Sequence, residues 1–219
     1  MRWHFVQNEL NGFCMPDVCL DETACVICFV QDRVASLFPE EAKEISSMAQ
    51  ARQAAFSSGR YCAHTAQREI GRAPAPVVRQ GRVPIWAENL RGSITHSQDI
   101  VAAVVSSTLR GVGVDVERLN RVEERLYSRL FTPTEIEAID GNREAATLMF
   151  SAKEAGYKAI YPLGQAYIGF QEAQIELDVD RQRFRIEYLG EHVPNRLLNR
   201  GFGAWQVHLN HVFTVFFIK

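Results

Sequence analysis

The sequence predicts an α+β fold from three observations. Apolar, β-branched runs typical of strands stand near the start, the middle and the end of the 219 residues, and stretches with helical spacing lie between them. The order is strand, helix and strands, then helices and strands, which favours α+β over a regular strand–helix–strand alternation. Each half also has a long helix followed by extended apolar segments, which suggests a duplicated fold with its break near residues 107–112.

Local signals predict the elements of the first half. Residues 24–30 are continuously apolar and predict a buried strand. Pro39 and two following glutamates open a helix, because proline and acidic residues suit its first turn. Apolar side chains then recur at helical spacing as far as Ile70. Residues 73–92 are rich in proline and glycine and predict a loop with a short extended piece, and Ile100–Ser106 predicts a strand.

The second half begins with a predicted strand at Gly111–Glu117, which follows a turn. A capping box at Thr132, with Pro133 directly behind it, starts a helix. Asn142 caps a longer helix, which we expect to end before Pro162 because proline disfavours helical backbone in the residue preceding it. Alternating apolar segments predict strands in the tail at Gln174–Val179, Arg183–Tyr188 and Trp205–Ile218, the last with a break near Asn210.

The composition is that of an ordinary globular protein, with 47% hydrophobic and 23% charged residues. It excludes disordered, collagen-like and low-complexity classes. The net charge of −2 carries no global nucleic-acid signature. Seven arginines and no lysine lie within residues 45–98, against two acids. Because the guanidinium fork matches phosphate, this stretch indicates either an anion partner or a solvated helix face.

The five cysteines bear on the compartment. An odd count without a signal peptide predicts a reducing, cytoplasmic setting. No apolar stretch is long enough to span a bilayer. We interpret the cysteines as buried structural residues rather than a zinc site, because only Cys25 and Cys28 form a clean pair and both lie in an apolar run.

Two carboxylates on the Gly111–Glu117 strand suggest chemistry. Side chains two apart on a strand share a face, so Asp115 and Glu117 project together, while the valines between them face the core. Neighbouring carboxylates repel unless a cation lies between them, and such hard oxygen ligands suit Mg²⁺, Mn²⁺ or Ca²⁺. The alternative interpretation is a strand end that dips into solvent.

On the long helix, Glu154 and Lys158 are four residues apart and share a face. By themselves they would form a surface salt bridge of little energetic weight. Beside Asp115 and Glu117, however, a third carboxylate completes a metal site, and a lysine one turn away holds a phosphate on that metal. The small polar residues around His96 predict a turn that contacts phosphate, with a purely structural histidine as the alternative.

Four motifs resemble those of the 4′-phosphopantetheinyl transferases, and among them the enterobactin-synthase type of the Sfp-like group. They are, in chain order, Arg52-x-x-x-Phe56-x-x-Gly59-Arg60, Gly92-Ser-Ile-Thr-His96, Gly111-Val-Gly-Val-Asp115-Val-Glu117 and Phe150-Ser-x-Lys153-Glu154-Ala-x-x-Lys158. The resemblance implies two similar α+β halves around a pseudo-twofold axis, with coenzyme A and the metal between them. Residues 1–108 would hold the coenzyme A nucleotide contacts, and residues 109–219 the metal site and the catalytic helix.

The resemblance also implies roles for the acidic residues and their neighbours. Asp115, Glu117 and Glu154 match the metal-binding carboxylates, which would hold Mg²⁺ or, in its place, Mn²⁺. Lys158 matches the lysine that contacts the pyrophosphate, and His96 matches a histidine that contacts a phosphate of coenzyme A. The catalytic residues would be Asp115, Glu154 and Lys158.

Further coenzyme A contacts are implied at basic positions. Arg52 and Arg60 match positions near the nucleotide end. Arg79 and Arg82 stand where the family often has a basic residue before proline and an aromatic residue, although the match is imperfect here. Thr95, inside the second motif, is assigned to the same group.

The implied reaction moves the 4′-phosphopantetheine arm of coenzyme A to a serine of an apo peptidyl, aryl or acyl carrier protein, and releases 3′,5′-ADP. The serine proton would pass to Glu154 directly or to a metal-bound water. The resemblance suggests siderophore or other nonribosomal peptide synthesis by a cytoplasmic monomer, and carrier domains of polyketide and fatty-acid synthases stay open as partners. A Mg²⁺-dependent hydrolase of nucleotide pyrophosphates and a carrier-binding protein without catalysis stay open as alternatives.

Overall fold

The computed structural model describes residues 2–5, 20–81, 83–164 and 166–219, and it confirms the α+β class. The helices are α1 Pro39–Ala42, α2 Gln50–Glu69, α3 Tyr127–Leu130, α4 Pro133–Ile139 and α5 Arg143–Gly164. The strands are β1 Arg2–Phe5, β2 Thr23–Phe29, β3 Val78–Gln80, β4 Val83–Ile85, β5 Arg91–Ser97, β6 Ile100–Ser106, β7 Gly111–Arg118, β8 Ala173–Asp178, β9 Arg183–Tyr188, β10 Phe202–His208 and β11 His211–Ile218.

The described chain forms two compact units, one of residues 2–5 and 20–109 and one of residues 110–219. In the first unit the sheet order is β1-β2-β6-β5, with β1 parallel to β2 and the other neighbours antiparallel. Helix α2 covers this sheet, and its small side chains Cys62 and Ala66 pack in one core with Val101 and Val105 of β6. Small residues on the helix let it lie close to the strands.

In the second unit the antiparallel sheet order is β7-β11-β10-β9-β8. Helix α5 lies across β7 and β11 and buries an alanine stripe against aromatic side chains of the sheet. Phe184 of β9 and Phe216 of β11 stack with ring centroids 5.8 Å apart in this core. The core fixes the height and rotation of α5 over β7.

The single helix predicted from Pro39 to Ile70 is wrong, because residues 43–49 are turns between α1 and α2. The Gln53 side-chain amide donates to the carbonyl oxygens of Ile45 and Met48, at 3.3 and 2.8 Å. These bonds satisfy turn carbonyls that have no helical partner, so the chain can reverse there.

Two other local predictions are also wrong. Helix α5 continues through Pro162 to Gly164, and a proline in the last turn removes only one backbone hydrogen bond near an end that frays in any case. The residues expected to form a turn around His96 belong to β5 instead. The tight turn comes after them, at Gln98, whose positive φ of 49° suits a two-residue hairpin between β5 and β6.

Candidate functional site

The first unit contains a cavity of about 630 Å³ at the start of α2. Its lining combines basic, aromatic and small side chains, from α2, the β3–β4 hairpin and β5. Its basic and aromatic lining residues are Arg52, Phe56, Arg60, Arg79 and His96. This collection suits an anionic ligand with a flat or apolar part.

Glycine at position 59 of α2 shapes this cavity. A Cβ at Gly59 would lie 2.9 Å from Cγ2 of Ile94, so glycine is needed for β5 to approach α2 this closely. Because side chains two apart on a strand share a face, His96 projects on the side of Ile94 and lines the cavity. His96 is exposed there, at the open side of the cavity.

Arg60 gives the clearest sign of a ligand. Its side chain is 4% exposed, and its guanidinium lies 4.2 Å from the ring centroid of Phe56. Within the described ranges, Nε and Nη2 of Arg60 have no hydrogen-bond partner. Burial lowers the pKa of Arg60 to about 10, which leaves the group charged at neutral pH. A buried cation with unsatisfied donors is costly unless an anion binds it.

The other residues implied for coenzyme A differ in placement. Arg79 lines the cavity and is tied to Glu44 by its Nε at 2.6 Å and by its backbone N–H at 2.8 Å. Arg52 is exposed at the rim. Thr95 is buried and is one residue out of phase with His96, so it lies on the opposite face of β5. Arg82 lies outside the described residues.

In the second unit, Asp115 and Glu117 project from β7 towards α5. They share that face with Gly111 and Gly113, where an added Cβ would collide with the carbonyl oxygens of Ala159 and Ala155. The two glycines therefore let the backbone of α5 rest on β7. The valines between them, on the opposite face of β7, are buried in the core as expected, and Asp115 is buried as well.

Asp115 is 3% exposed and is held at both oxygens. Lys158 Nζ donates to Oδ1 at 2.6 Å and also to the carbonyl oxygen of Val114 at 3.3 Å. Ser151 Oγ donates to Oδ2 at 2.8 Å. The Ser151 hydroxyl lies a further 2.8 Å from that of Thr214 on β11. Sequence reasoning assigned no role to Ser151, although it stands in the Phe150-Ser-x-Lys153 motif. It missed Thr214, because nothing along the chain relates a strand threonine to a helix serine 63 residues away.

Glu117 and Glu154 complete the acidic group. Burial, and next the charge of Asp115, raise the pKa of Glu117 to about 7, against the opposing effect of Arg121. Arg121 Nε lies 3.0 Å from Glu117. Burial also raises the pKa of Glu154, with Lys158 opposing and Asp115 adding to the shift. The three carboxylates are therefore near enough to repel, and Lys158 and Arg121 supply the compensating positive charge.

Comparison with known proteins assigns the family. The model of the 4′-phosphopantetheinyl transferase N-terminal domain matches residues 40–106, and that of the 4′-phosphopantetheinyl transferase superfamily matches residues 111–210. The 4′-phosphopantetheinyl transferase PptT of Mycobacterium tuberculosis is 31% identical over 189 residues, which cover 80% of this chain and 83% of the relative. The chain belongs to the 4′-phosphopantetheinyl transferase superfamily.

Other relatives of this transferase agree. The 4′-phosphopantetheinyl transferase Svp of Streptomyces mobaraensis is 32% identical over 186 residues, covering 80% of this chain and 75% of the relative. Enterobactin synthase component D of Escherichia coli K12 is 28% identical over 162 residues, covering 71% and 69%. Like its family, the transferase uses coenzyme A as a substrate and a carrier protein as the acceptor of the arm.

The acidic group of the transferase fits a hard divalent cation by charge and by donor type. Its three carboxylates offer only oxygen ligands, as Mg²⁺ prefers, and their mutual repulsion would be relieved by a cation. As they stand, no three His, Cys, Asp or Glu side chains in the described ranges are grouped closely enough to hold one ion. Side-chain rotation of Glu117 and Glu154 towards Asp115 would be part of metal binding.

The structure also bears on the expectations for the cysteines and for membrane-spanning segments. Cys25, Cys28 and Cys62 are buried and not in disulfides, while Cys14 and Cys19 lie outside the described residues. Across 2–5, 20–81, 83–164 and 166–219, no helix is long and apolar enough to cross a membrane.

Proposed function

We propose that this transferase moves the 4′-phosphopantetheine arm of coenzyme A to a carrier-protein serine in a Mg²⁺-dependent reaction that releases 3′,5′-ADP. The observation that carries the proposal is the buried Asp115, held between Lys158 and Ser151 on the face that also bears Glu117. A carboxylate so fixed beside a lysine suits a phosphoryl-type transfer, in which positioning and charge neutralisation dominate.

The first unit would bind the nucleotide end of coenzyme A. Arg60 has unsatisfied donors next to Phe56, so we assign it to a phosphate and Phe56 to an apolar or flat group beside that phosphate. Arg52, Arg79 and His96 line the same cavity and would share the negative charge. Thr95 and Arg82 stay predictions from the motif alone.

The second unit would carry the reacting end. Asp115, Glu117 and Glu154 would hold the divalent cation, which when bound neutralises charge on the pyrophosphate. Lys158, which is paired with Asp115 at 2.6 Å, would donate to the departing phosphate. Among the described residues Glu154 pairs with no cation within 4.0 Å, unlike the other two carboxylates, so we assign it the serine proton.

The choice of carrier and the cellular setting are also part of the proposal. A relative is named as a component of enterobactin synthase, which supports a carrier of siderophore or other nonribosomal peptide synthesis as the acceptor. We propose that the transferase works as a cytoplasmic monomer with a 1–108 half for the nucleotide and a 109–219 half for the chemistry.

Intact-protein mass spectrometry of an apo peptidyl carrier domain tests the proposal. With the transferase, coenzyme A and Mg²⁺, we expect a gain of one phosphopantetheine arm, abolished by EDTA and accompanied by 3′,5′-ADP. Asp115→Asn should slow the gain by on the order of 100-fold, because the ion pair and a metal ligand are lost together. Asp178→Asn, which changes an acid of the same unit that is paired with the surface residue Arg181, is the matched control.

Three results would contradict parts of the proposal. An unchanged rate in EDTA would show that the reaction needs no divalent cation. Near-normal transfer by Asp115→Asn would show that Asp115 is not part of the catalytic site. Consumption of coenzyme A without any carrier would instead support the pyrophosphate hydrolase.

A further inference from the structure

We propose that Ser151 and Thr214 are positioning residues that fix the Asp115 carboxylate for cation binding. This inference rests on the proposed function, because it concerns the metal site of that reaction. Ser151 lies on α5 and Thr214 on β11, and both side chains are fully buried. Neither would touch coenzyme A or the cation, since both act through Asp115.

The hydroxyl protons have a fixed direction. An ionised carboxylate paired with Lys158 can only accept hydrogen bonds, so the single proton of Ser151 must be donated to Oδ2 of Asp115, at 2.8 Å. The oxygen of Ser151 then has only acceptor capacity for Thr214, whose hydroxyl lies 2.8 Å away. Ser151 therefore donates to Asp115, and any hydrogen bond between the two hydroxyls is donated by Thr214.

A backbone contact keeps Thr214 in place. Its hydroxyl donates to the carbonyl oxygen of Ser151 at 3.0 Å, so its one proton is shared between the main-chain and side-chain oxygens of Ser151. Thr214 sits directly opposite Asp115 in the β7–β11 register. Helix α5, β7 and β11 are thus joined at one point by three side chains.

The consequence for the carboxylate is geometric. With Oδ2 held by Ser151, rotation about the last side-chain bond of Asp115 is prevented, and Oδ1 is the oxygen turned towards Lys158. A cation that replaces Lys158 at Oδ1 would meet an oxygen already oriented. Outer groups that orient a metal ligand in this way are worth about 10- to 100-fold in metal affinity or activity.

Mn²⁺ binding measures this role without any turnover. Mn²⁺ is titrated into the transferase saturated with coenzyme A, with no carrier present, and free Mn²⁺ is followed by EPR, with a titration of coenzyme A alone subtracted. Ser151→Ala should weaken Mn²⁺ binding by about 10- to 100-fold. Thr214→Val should weaken it several-fold, and Thr214→Ser, which keeps the hydroxyl, should restore it. The Mg²⁺ concentration for half-maximal transfer should follow the same order.

Two controls separate positioning from stability. Thr147 is another fully buried hydroxyl on α5, bonded to the carbonyl oxygen of Arg143 at 2.8 Å, one turn before Ser151. Ser58 is a fully buried serine on α2 that bonds Gln31. Thr147→Val and Ser58→Ala should lower the melting temperature and leave Mn²⁺ affinity within twofold of the unsubstituted protein.

The outcomes are distinguishable. If the unsubstituted transferase binds Mn²⁺ and Ser151→Ala binds it equally well, the positioning role is overturned while the proposed function stands. If Ser151→Ala does not fold, Thr214→Val and Thr214→Ser decide, and equal Mn²⁺ affinities overturn the inference. If the unsubstituted protein transfers the arm but binds no Mn²⁺, the metal site and this inference fall together.

Discussion

Two lysines of one motif show how residue environments separate similar side chains. Lys153 is 3% exposed, and its Nζ donates to Glu135 at 2.6 Å and to the carbonyl oxygens of Leu130 and Phe170. Lys158, five residues on, turns about 140° around the helix and reaches Asp115 instead. Lys153 therefore forms a buried ion pair that stabilises the second unit, whereas Lys158 belongs to the candidate site.

Arg60 should be the dominant basic contact for coenzyme A. We expect Arg60→Gln to weaken coenzyme A binding by at least about tenfold, because a buried charge-assisted hydrogen bond is worth roughly 1.5–3 kcal/mol. Isothermal titration calorimetry with coenzyme A and dephospho-coenzyme A measures the change and shows whether the 3′-phosphate is involved. Arg68→Gln, at an exposed position of the same helix, should bind as the unsubstituted protein does. Equal affinities of the two variants would contradict the assignment.

At the scale of elements, the approach of α5 to β7 sets the site. Gly111 and Gly113 do not form a dinucleotide-binding fingerprint, because no third glycine opens a helix behind them. Their observed task is packing, since each faces a carbonyl oxygen of α5 where a Cβ would not fit. Close packing is what brings Ser151 and Lys158 within hydrogen-bond distance of Asp115.

Gly113→Ala should therefore damage both packing and site. The added methyl would push α5 away, at a cost of about 1–3 kcal/mol or more for overpacking against backbone. Thermal unfolding should show the loss, and Mn²⁺ affinity should fall with it because Lys158 and Ser151 move with the helix. Gly164→Ala, at the end of α5 with its nearest neighbour 3.3 Å from the new Cβ, should have a much smaller effect on both measurements. Comparable losses in the two variants would argue against a specific role for Gly113.

At the scale of the whole molecule, both units contain the same arrangement of hydrogen bonds around a buried glutamate. In each, a proline-opened helix places a glutamate at its third position, Glu41 in α1 and Glu135 in α4, and that carboxylate accepts the N–H of its own N-cap residue. Each carboxylate also accepts one backbone N–H from a later segment, Val77 or Ile175, at 2.7 Å. A side chain of the long helix completes both sets: Lys153 in the second unit, and in the first His64, whose Nε2 is 2.8 Å from Glu41.

The hydrogen bonds around Glu41 predict that the folding stability of the protein falls in acid. Burial by itself would raise the pKa of Glu41, but hydrogen bonds from His64, Val77 and Phe38 and the charge of His64 hold that pKa below its ordinary 4.5. The unfolded chain then binds the proton more readily, so the stabilisation is present above pH 4.5 and is lost as the pH falls below it.

Glu41→Gln should remove that pH dependence. We expect a loss of about 1.5–3 kcal/mol at pH 7, because the bonds to a charged acceptor are weakened. The difference from the unsubstituted protein should shrink as the pH is lowered from 5 to 3, as followed by urea unfolding. Glu40→Gln, at the neighbouring exposed position of α1, is the matched control. A difference that is constant over this pH range would show that Glu41 is not ionised in the native state.

The sequence by itself determined the α+β class, most strands, the helix start at Thr132 and the acidic residues of the site, because these depend on local periodicity, capping and motif spacing. Tertiary structure decided what local signals do not encode. It divided the helix after Pro39, carried α5 through Pro162, placed the His96 motif in a strand and selected Ser151 and Thr214 as partners of Asp115. Those outcomes depend on contacts between residues far apart in the chain, whose packing and hydrogen-bonding energies outweigh local propensity.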